Sequence, residues 1–254
     1  MAFPYKHILL IGATSGIGRA LADRFVEHGL QVTAVGRRQD RLDDFVQKHG
    51  TDRAHGVAFD IGKIEEIPQF VTDVTTKYPD IDCVFLNAGF QIPTDMTSQE
   101  KWDMQQFQQI FHINFTGVVA LTREFLPFLK EKKSETTGFI LYAAPIAAYS
   151  ASKAALNSFV LCLREQLRGT NIKVIEISPP AVQTELHDYM GEDAGRKLGM
   201  PLDQFTSEAF DGFQAGLDQV VVGTIGLPET FHEIVDKRRK AFDGFAQIMR
   251  AARH

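Results

Sequence analysis

His7-Ile8-Leu9-Leu10-Ile11-Gly12-Ala13-Thr14-Ser15-Gly16-Ile17-Gly18 is the stretch that decides how this chain folds. The first five residues form an apolar run short enough for a buried strand. The glycines that follow read G-x-x-x-G-x-G. Beyond them, Leu21 and Phe25 sit four apart on one face of a segment, 17–28, that Gly29 closes as a C-cap. A strand passing through glycines into a helix can turn sharply, and the helix start then offers free N–H groups to an anion such as a pyrophosphate. Three glycines alone fit any tight turn, whereas their place between strand and helix is specific. Gly12, Thr14, Ser15, Gly16, Ile17 and Gly18 are therefore the first candidate ligand-binding residues.

The same alternation continues outward. Strands are expected at 31–35, 54–59, 82–86, 139–142 and 173–177, with a short one at 220–222. Helices are expected at 40–49, 64–78, 99–132 (broken near 115–117) and 149–168. Alternating strands and helices imply right-handed crossovers and a parallel sheet covered on both faces. The expected class is α/β: a Rossmann-type, doubly wound parallel sheet in three α/β/α layers, one nucleotide-binding domain over 1–254. The stretch 184–213, rich in charge, Gly and Met, interrupts the alternation and is expected to be a substrate-loop excursion.

The end of the second strand bears on the ligand. A carboxylate there accepts hydrogen bonds from the ribose of NAD and repels a 2′-phosphate. This chain has Gly36-Arg37-Arg38, with no acid before Asp40, which suits a helix cap. Two guanidiniums match a phosphate monoester through forked, charge-assisted hydrogen bonds, so the expected cofactor is NADP(H). The other possibility is that both arginines are solvated loop residues. Asp60, at the end of the third strand, is placed to accept from an adenine amino group or to cap the next helix. Asn87-Ala88-Gly89 follows the fourth strand; the small residues permit close backbone approach, and Asn87 either orders the turn or meets the ribose.

Composition narrows the rest. The 254 residues are 44% hydrophobic and 23% charged, an ordinary globular balance that can bury a core. A net charge of -5 gives no bulk attraction for nucleic acid. The basic clusters at 130–133 and 237–240 read as solvated helix faces. No apolar stretch is long enough for an integral membrane segment, and a core strand starting at His7 leaves no room for a signal peptide, so a cytoplasmic location is expected. Cys83 and Cys162 lack metal or disulfide spacing and read as buried free thiols. Eight histidines are scattered without ligand spacing, so no metal site is expected, and His187 reads as a solvated loop residue or a substrate contact. Trp102, Phe107 and Phe111 suggest core or interface packing.

Taken together, Gly12-x-x-x-Gly16-x-Gly18, Asn87-Ala88-Gly89, Asn114-x-x-Gly117, Tyr149-x-x-x-Lys153 and Pro179 with Val182-x-Thr184 resemble the short-chain dehydrogenase/reductase family in order and spacing over about 7–186. The run Pro179-Pro180-Ala181-Val182-Gln183-Thr184-Glu185-Leu186 resembles the bacterial DltE-type oxidoreductase branch. The resemblance implies that Tyr149 is the acid/base, Lys153 its activator, and Asn114 the holder of a water against the lysine. It places Pro179, Val182 and Thr184 near the nicotinamide and diphosphate. Physical chemistry supports the pair independently. Tyr149 and Lys153 are i, i+4 on one helix face. A tyrosine with a pKa of about 10 needs a neighbouring cation to act as a base near neutrality. Asn114 is unfavourable inside a helix, so a helix distortion or a buried hydrogen bond should compensate.

The resemblance also implies a serine at the end of the fifth strand, whose hydroxyl orients the substrate carbonyl. No serine lies between Ser134 and Ser150, and Ala144 or Pro145 falls where it would stand. Neither side chain donates a hydrogen bond. Ser150 and Ser152 flank the tyrosine off its face, and Tyr142 carries the one other nearby hydroxyl. Three readings stay open: an oxidoreductase with weakened carbonyl polarisation, an NADP(H)-binding pseudoenzyme or interaction protein, or a coding segment lost from the gene model. The expected function is hydride transfer between NADP(H) and a small carbonyl or secondary alcohol substrate. The long helix and the 149–168 helix build subunit faces in the family, so a homodimer or homotetramer is expected. Phe159, Leu163 and Leu167 at helical spacing serve that face or pack on the sheet.

Overall fold

The computed structural model describes residues 3–92, 103–132, 137–142, 147–224 and 227–252, with backbone alone at 137–142 and 147. Strand β1 (His7–Ile11) is buried along its whole length. Its neighbours β2 (Gln31–Gly36) and β4 (Cys83–Leu86) both run parallel to it, pairing Ile8 with Val32 on one side and with Cys83 on the other. The carboxylate of Asp82 accepts from the backbone N–H of Lys6 and His7 and so fixes where β1 begins.

With β3 (Ala54–Ala58), β5 (Thr137–Tyr142), β6 (Ile172–Ser178) and β7 (Gln219–Val221), these strands form a seven-stranded sheet in the order β3-β2-β1-β4-β5-β6-β7. Every described pairing is parallel. The order reverses direction at β1, which opens a crevice beyond the carboxyl ends of β1 and β4.

Alternation along β1 divides the core in two. Ile8 and Leu10 join a cluster built on α1 (Gly16–Glu27), α2 (Gln39–His49) and α8 (Leu202–Gln214). There Phe25, Phe85 and Phe213 meet at ring-centre distances of 6.0–6.3 Å. Leu9 and Ile11 face the opposite layer of α3 (Ile67–Lys77), α5 (Val118–Lys130) and α6 (Ala147–Gln166). The doubly wound, three-layer α/β/α fold expected from the sequence is the fold observed.

Several expectations change in detail. The long helix is described from 104 onward as α4 (Met104–Phe111), a π-helical segment (His112–Gly117) and α5. Trp102 lies outside the described residues. Within the stretch 184–213 the structure places α7 (Glu192–Gly195) and α8, which buries Phe205, Ala209, Phe210 and Phe213 in the core. His187 is buried rather than solvated, in the 3-10 segment Glu185–Met190. A Cβ on Gly195 would lie 2.1 Å from the His187 carbonyl oxygen, so the end of α7 packs directly over that residue. Leu163 and Leu167 are buried against the sheet of this chain, and Phe159 meets Phe115 edge-on. Cys83 is buried as expected, but Cys162 is exposed because it sits on the outer face of α6.

The C-terminal helix α9 (Pro228–Ala251) extends the layer that contains α6. The basic cluster on it is not merely solvated: Arg239 forms an ion pair with Asp218, and Arg238 donates to Ser158.

Candidate functional site

A cavity of about 340 Å³ opens over the carboxyl ends of β1, β2 and β4. Its floor is the glycine turn. Gly12 has φ +90°, and a Cβ there would lie 2.6 Å from the Ala88 nitrogen, so the β1 and β4 turns touch backbone to backbone. Asn87 donates to the Gly12 carbonyl at 3.2 Å and thereby orders this contact. Ser15 is the N-cap of α1 but makes no side-chain capping bond. Its hydroxyl instead accepts from Arg38 Nη2 at 2.5 Å. The first intrahelical bond runs from the Arg19 N–H to the Ser15 carbonyl, so helix geometry leaves the N–H groups of Gly16, Ile17 and Gly18 for an anion.

At the end of β2, Arg37 is exposed and lines the cavity. Arg38 donates to Thr14 Oγ1 from Nε and Nη2, and through Nη1 to Glu185 Oε2 at 2.9 Å. Arg41 joins them, donating to Glu185 Oε1 at 2.7 Å. Burial pushes the Glu185 carboxyl up, but hydrogen bonds from Arg38 and Arg41 outweigh it and hold the group below the ordinary glutamate range. Asp60 lines the cavity, and its Oδ1 accepts from the Gly62 N–H at 2.9 Å. It closes a turn rather than capping the next helix, whose 3-10 start at Ile64 follows Lys63.

Three side chains converge at the other end. Tyr149 and Lys153 lie one turn apart on α6, each only 2% exposed. Lys153 Nζ is 5.3 Å from the Tyr149 ring centre. Burial pulls the Lys153 ammonium down to about 7. Their meeting point is Gly89, where a Cβ would lie 3.6 Å from Lys153 Nζ, 3.8 Å from Asn114 Oδ1 and 3.9 Å from Tyr149 Cε2.

Asn114 shows both compensations expected of it. It sits in the π-helical segment and is fully buried. Its Oδ1 accepts from the Phe90 N–H at 2.7 Å and its Nδ2 donates to the Phe90 carbonyl at 2.8 Å. Nδ2 also reaches Ser152 Oγ at 3.3 Å, and that hydroxyl donates to the Tyr149 carbonyl at 2.7 Å. Gly117 ends the segment where a Cβ would stand 2.8 Å from the Ile61 carbonyl oxygen, so the distorted helix can lie directly on the loop after β3.

A family model for short chain dehydrogenases matches residues 6–195. The chain belongs to the short-chain dehydrogenase family. It is 35% identical over 187 residues to serine 3-dehydrogenase of Rhizobium radiobacter, covering 70% of this chain and 72% of the relative. It is 30% identical over 222 residues to an uncharacterised oxidoreductase, DltE, of Bacillus subtilis, covering 84% and 86%. Its fold matches the closed form of a serine dehydrogenase complexed with NADP+ at a TM-score of 0.74, with 24% identity, covering 87% of this chain and 98% of the other.

Within this short-chain dehydrogenase, the cavity gathers Gly12, Thr14, Ser15, Gly16, Ile17, Arg37, Arg38, Asp60, Asn87, Ala88, Gly89, Tyr149 and Thr184. Thr184 packs on Gly16, its Cβ 3.2 Å from where a Cβ on that glycine would stand. Gly18, Asn114, Lys153, Pro179 and Val182 do not line it. Val182 is buried in a bridge to Met200, and Pro179 borders a separate cavity between α6 and α9 that Lys153 also reaches. Arg41, Glu185 and Ser152 take part in the site without having been anticipated. Only their positions in the fold reveal them, because each acts through a residue distant in sequence. Ala144 and Pro145, where the family serine is expected, lie outside the described residues, as does the Tyr142 side chain. Among the described residues no group of three or more His, Cys, Asp or Glu side chains is placed to hold a metal ion, and no helix is long and apolar enough to cross a membrane.

Proposed function

We propose that this chain binds NADP(H) and catalyses oxidation or reduction between a secondary alcohol and a carbonyl. One observation carries the reading: a single cavity joins an uncapped helix start and an arginine cluster at one end to Tyr149 at the other, with Lys153 and Asn114 buried directly behind. The residues fit the cofactor. Backbone N–H groups and Arg37 and Arg38 face one rim, and Gly89 leaves open the space a Cβ would fill between Tyr149, Lys153 and Asn114. When bound, NADP(H) supplies the hydride donor or acceptor.

Tyr149 holds and moves the proton at its phenolic oxygen. The phenolate is favoured when Lys153 is an ammonium, which lowers the tyrosine from its ordinary pKa of about 10. In the chain alone, burial brings Lys153 to about 7, so it is only partly charged near neutrality. Asn114 positions the segment after β4 by holding both backbone groups of Phe90, and through Ser152 it braces the carbonyl of Tyr149 itself.

No serine or threonine stands between Gly138 and Tyr149 to polarise a carbonyl. By analogy with oxyanion donors, that lack costs about 3 kcal/mol of transition-state stabilisation. It favours a second reading, a cofactor-binding protein without turnover. The test follows NADPH oxidation against aldehydes and ketones, and NADP+ reduction against serine and other 3-hydroxy acids. Turnover that is lost in Tyr149→Phe supports the enzyme. Cofactor binding without turnover, alike in both proteins, supports the second reading.

A further inference from the structure

We propose that Glu185 is a specificity-determining residue: an internal counter-anion that occupies the guanidiniums of Arg38 and Arg41 and must be displaced by a 2′-phosphate, but not by a 2′-hydroxyl. The proposal rests on the cofactor reading above and deepens it.

The geometry is that of an anion site already filled. Each carboxylate oxygen of Glu185 takes one guanidinium, Oε1 from Arg41 at 2.7 Å and Oε2 from Arg38 at 2.9 Å. Arg38 is held from behind by Thr14 Oγ1 and Ser15 Oγ, and Arg41 by the Thr14 carbonyl. Both cations are thus also tied to the glycine turn, whereas among the described residues the Glu185 carboxylate is hydrogen-bonded to these two arginines alone. Glu185 begins the 3-10 segment that carries Leu186 over the cavity and Tyr189, whose hydroxyl accepts from Gln91.

All three charged side chains are about one-third exposed, with Arg38 at 39%, Arg41 at 35% and Glu185 at 32%. At that exposure an ion pair is weak enough to be exchanged by an incoming dianion. Arg37 has no hydrogen bond or ion pair among the described residues and stands on the same rim, so it is the guanidinium that meets the phosphate first.

Two consequences follow for ligand choice. A 2′-phosphate that takes the Nη1 donors of Arg38 and Arg41 breaks their bonds to Glu185, and one that takes the remaining donors still faces that carboxylate's charge. A 2′-hydroxyl leaves the pair intact and finds in Glu185 an acceptor. Glu185 therefore subtracts from the affinity for the phosphorylated cofactor and narrows the preference that the arginines create. It also links the state of the arginine site to the segment that roofs the cavity.

The test is calorimetric titration of the full chain with adenosine 2′,5′-bisphosphate and with 5′-AMP, in wild type, Glu185→Gln and Glu185→Asp. Glu185→Gln keeps the shape and loses the charge. It is expected to widen the preference for the bisphosphate by roughly fivefold or more, with 5′-AMP binding unchanged or weaker. Glu185→Asp, one methylene too short to reach both guanidiniums, is expected to fall between and guards against a misfolded Gln variant. A bisphosphate preference in wild type that is unchanged in both variants overturns the role of Glu185 and leaves the cofactor reading standing. Equal binding of both nucleotides in wild type, with a preference appearing only in Glu185→Gln, supports the role of Glu185 and overturns the NADP(H) preference. No binding of either nucleotide by any of the three proteins overturns both.

Discussion

Replacing Lys153 by methionine is expected to stabilise the folded chain at neutral pH and to lose that advantage as the solution becomes alkaline. Lys153 is 2% exposed, and burial brings its ammonium from an ordinary value of 10.5 to about 7. The folded pKa lies below the unfolded one, so the unfolded chain binds more protons and stability rises with pH across the interval between them. Below pH 7 the full cost of burying the charge is present, about 5 kcal/mol for a gap of this size. From pH 7 to pH 9 wild type regains about 2 kcal/mol of it relative to a variant with no titratable group there. The assay is urea unfolding of wild type and Lys153→Met at both pH values, comparing the differences in unfolding free energy. The difference should shrink by about 2 kcal/mol at the higher pH. Parallel behaviour, with the same difference at both pH values, would refute the placement of Lys153 as a desolvated ammonium.

Asn114→Leu strips the partners from the N–H and carbonyl of Phe90 and should cost about 2–4 kcal/mol in urea unfolding; a loss below about 0.5 kcal/mol would mean water replaces the side chain freely. Phe25→Ala removes a fully buried ring that meets Phe3, Phe85, Phe210 and Phe213, and should cost about 3–5 kcal/mol. The same urea experiment checks it, and a change near zero would contradict the α1–α8 packing.

The sheet was legible because its central strands are apolar runs with a turn at the end. His7–Ile11 lies where the run HILLI places it, and the other strands shift by a residue or two. The two helices that were less legible show why periodicity fails. Phe205, Ala209, Phe210 and Phe213 do lie on one helical face, but α8 follows a charged, glycine-bearing stretch that hides where the periodicity starts. In α9 the apolar residues Ile234, Phe245 and Ile248 are each more than 60% exposed, so the pattern names no buried face.

At the candidate site, the motif residues could be named as candidates from sequence because glycine turns and an i, i+4 pair are local. The Arg38–Glu185–Arg41 cluster was not, since its members are separated by up to 147 positions and meet only after the sheet has formed. Asn114 falls between: its distortion of the helix was foreseeable from propensity, but its bonds to Phe90 depend on how the β4 turn approaches.

The proposed cofactor site seats a dinucleotide between the start of α1 and Tyr149, with its extra phosphate among the arginines. Calorimetric titration of the wild-type chain with NADPH and with NADH tests this most directly. NADPH is expected to bind about tenfold more tightly or better, a difference of about 1.4 kcal/mol. Tighter binding of NADH, or no binding of either, would contradict it.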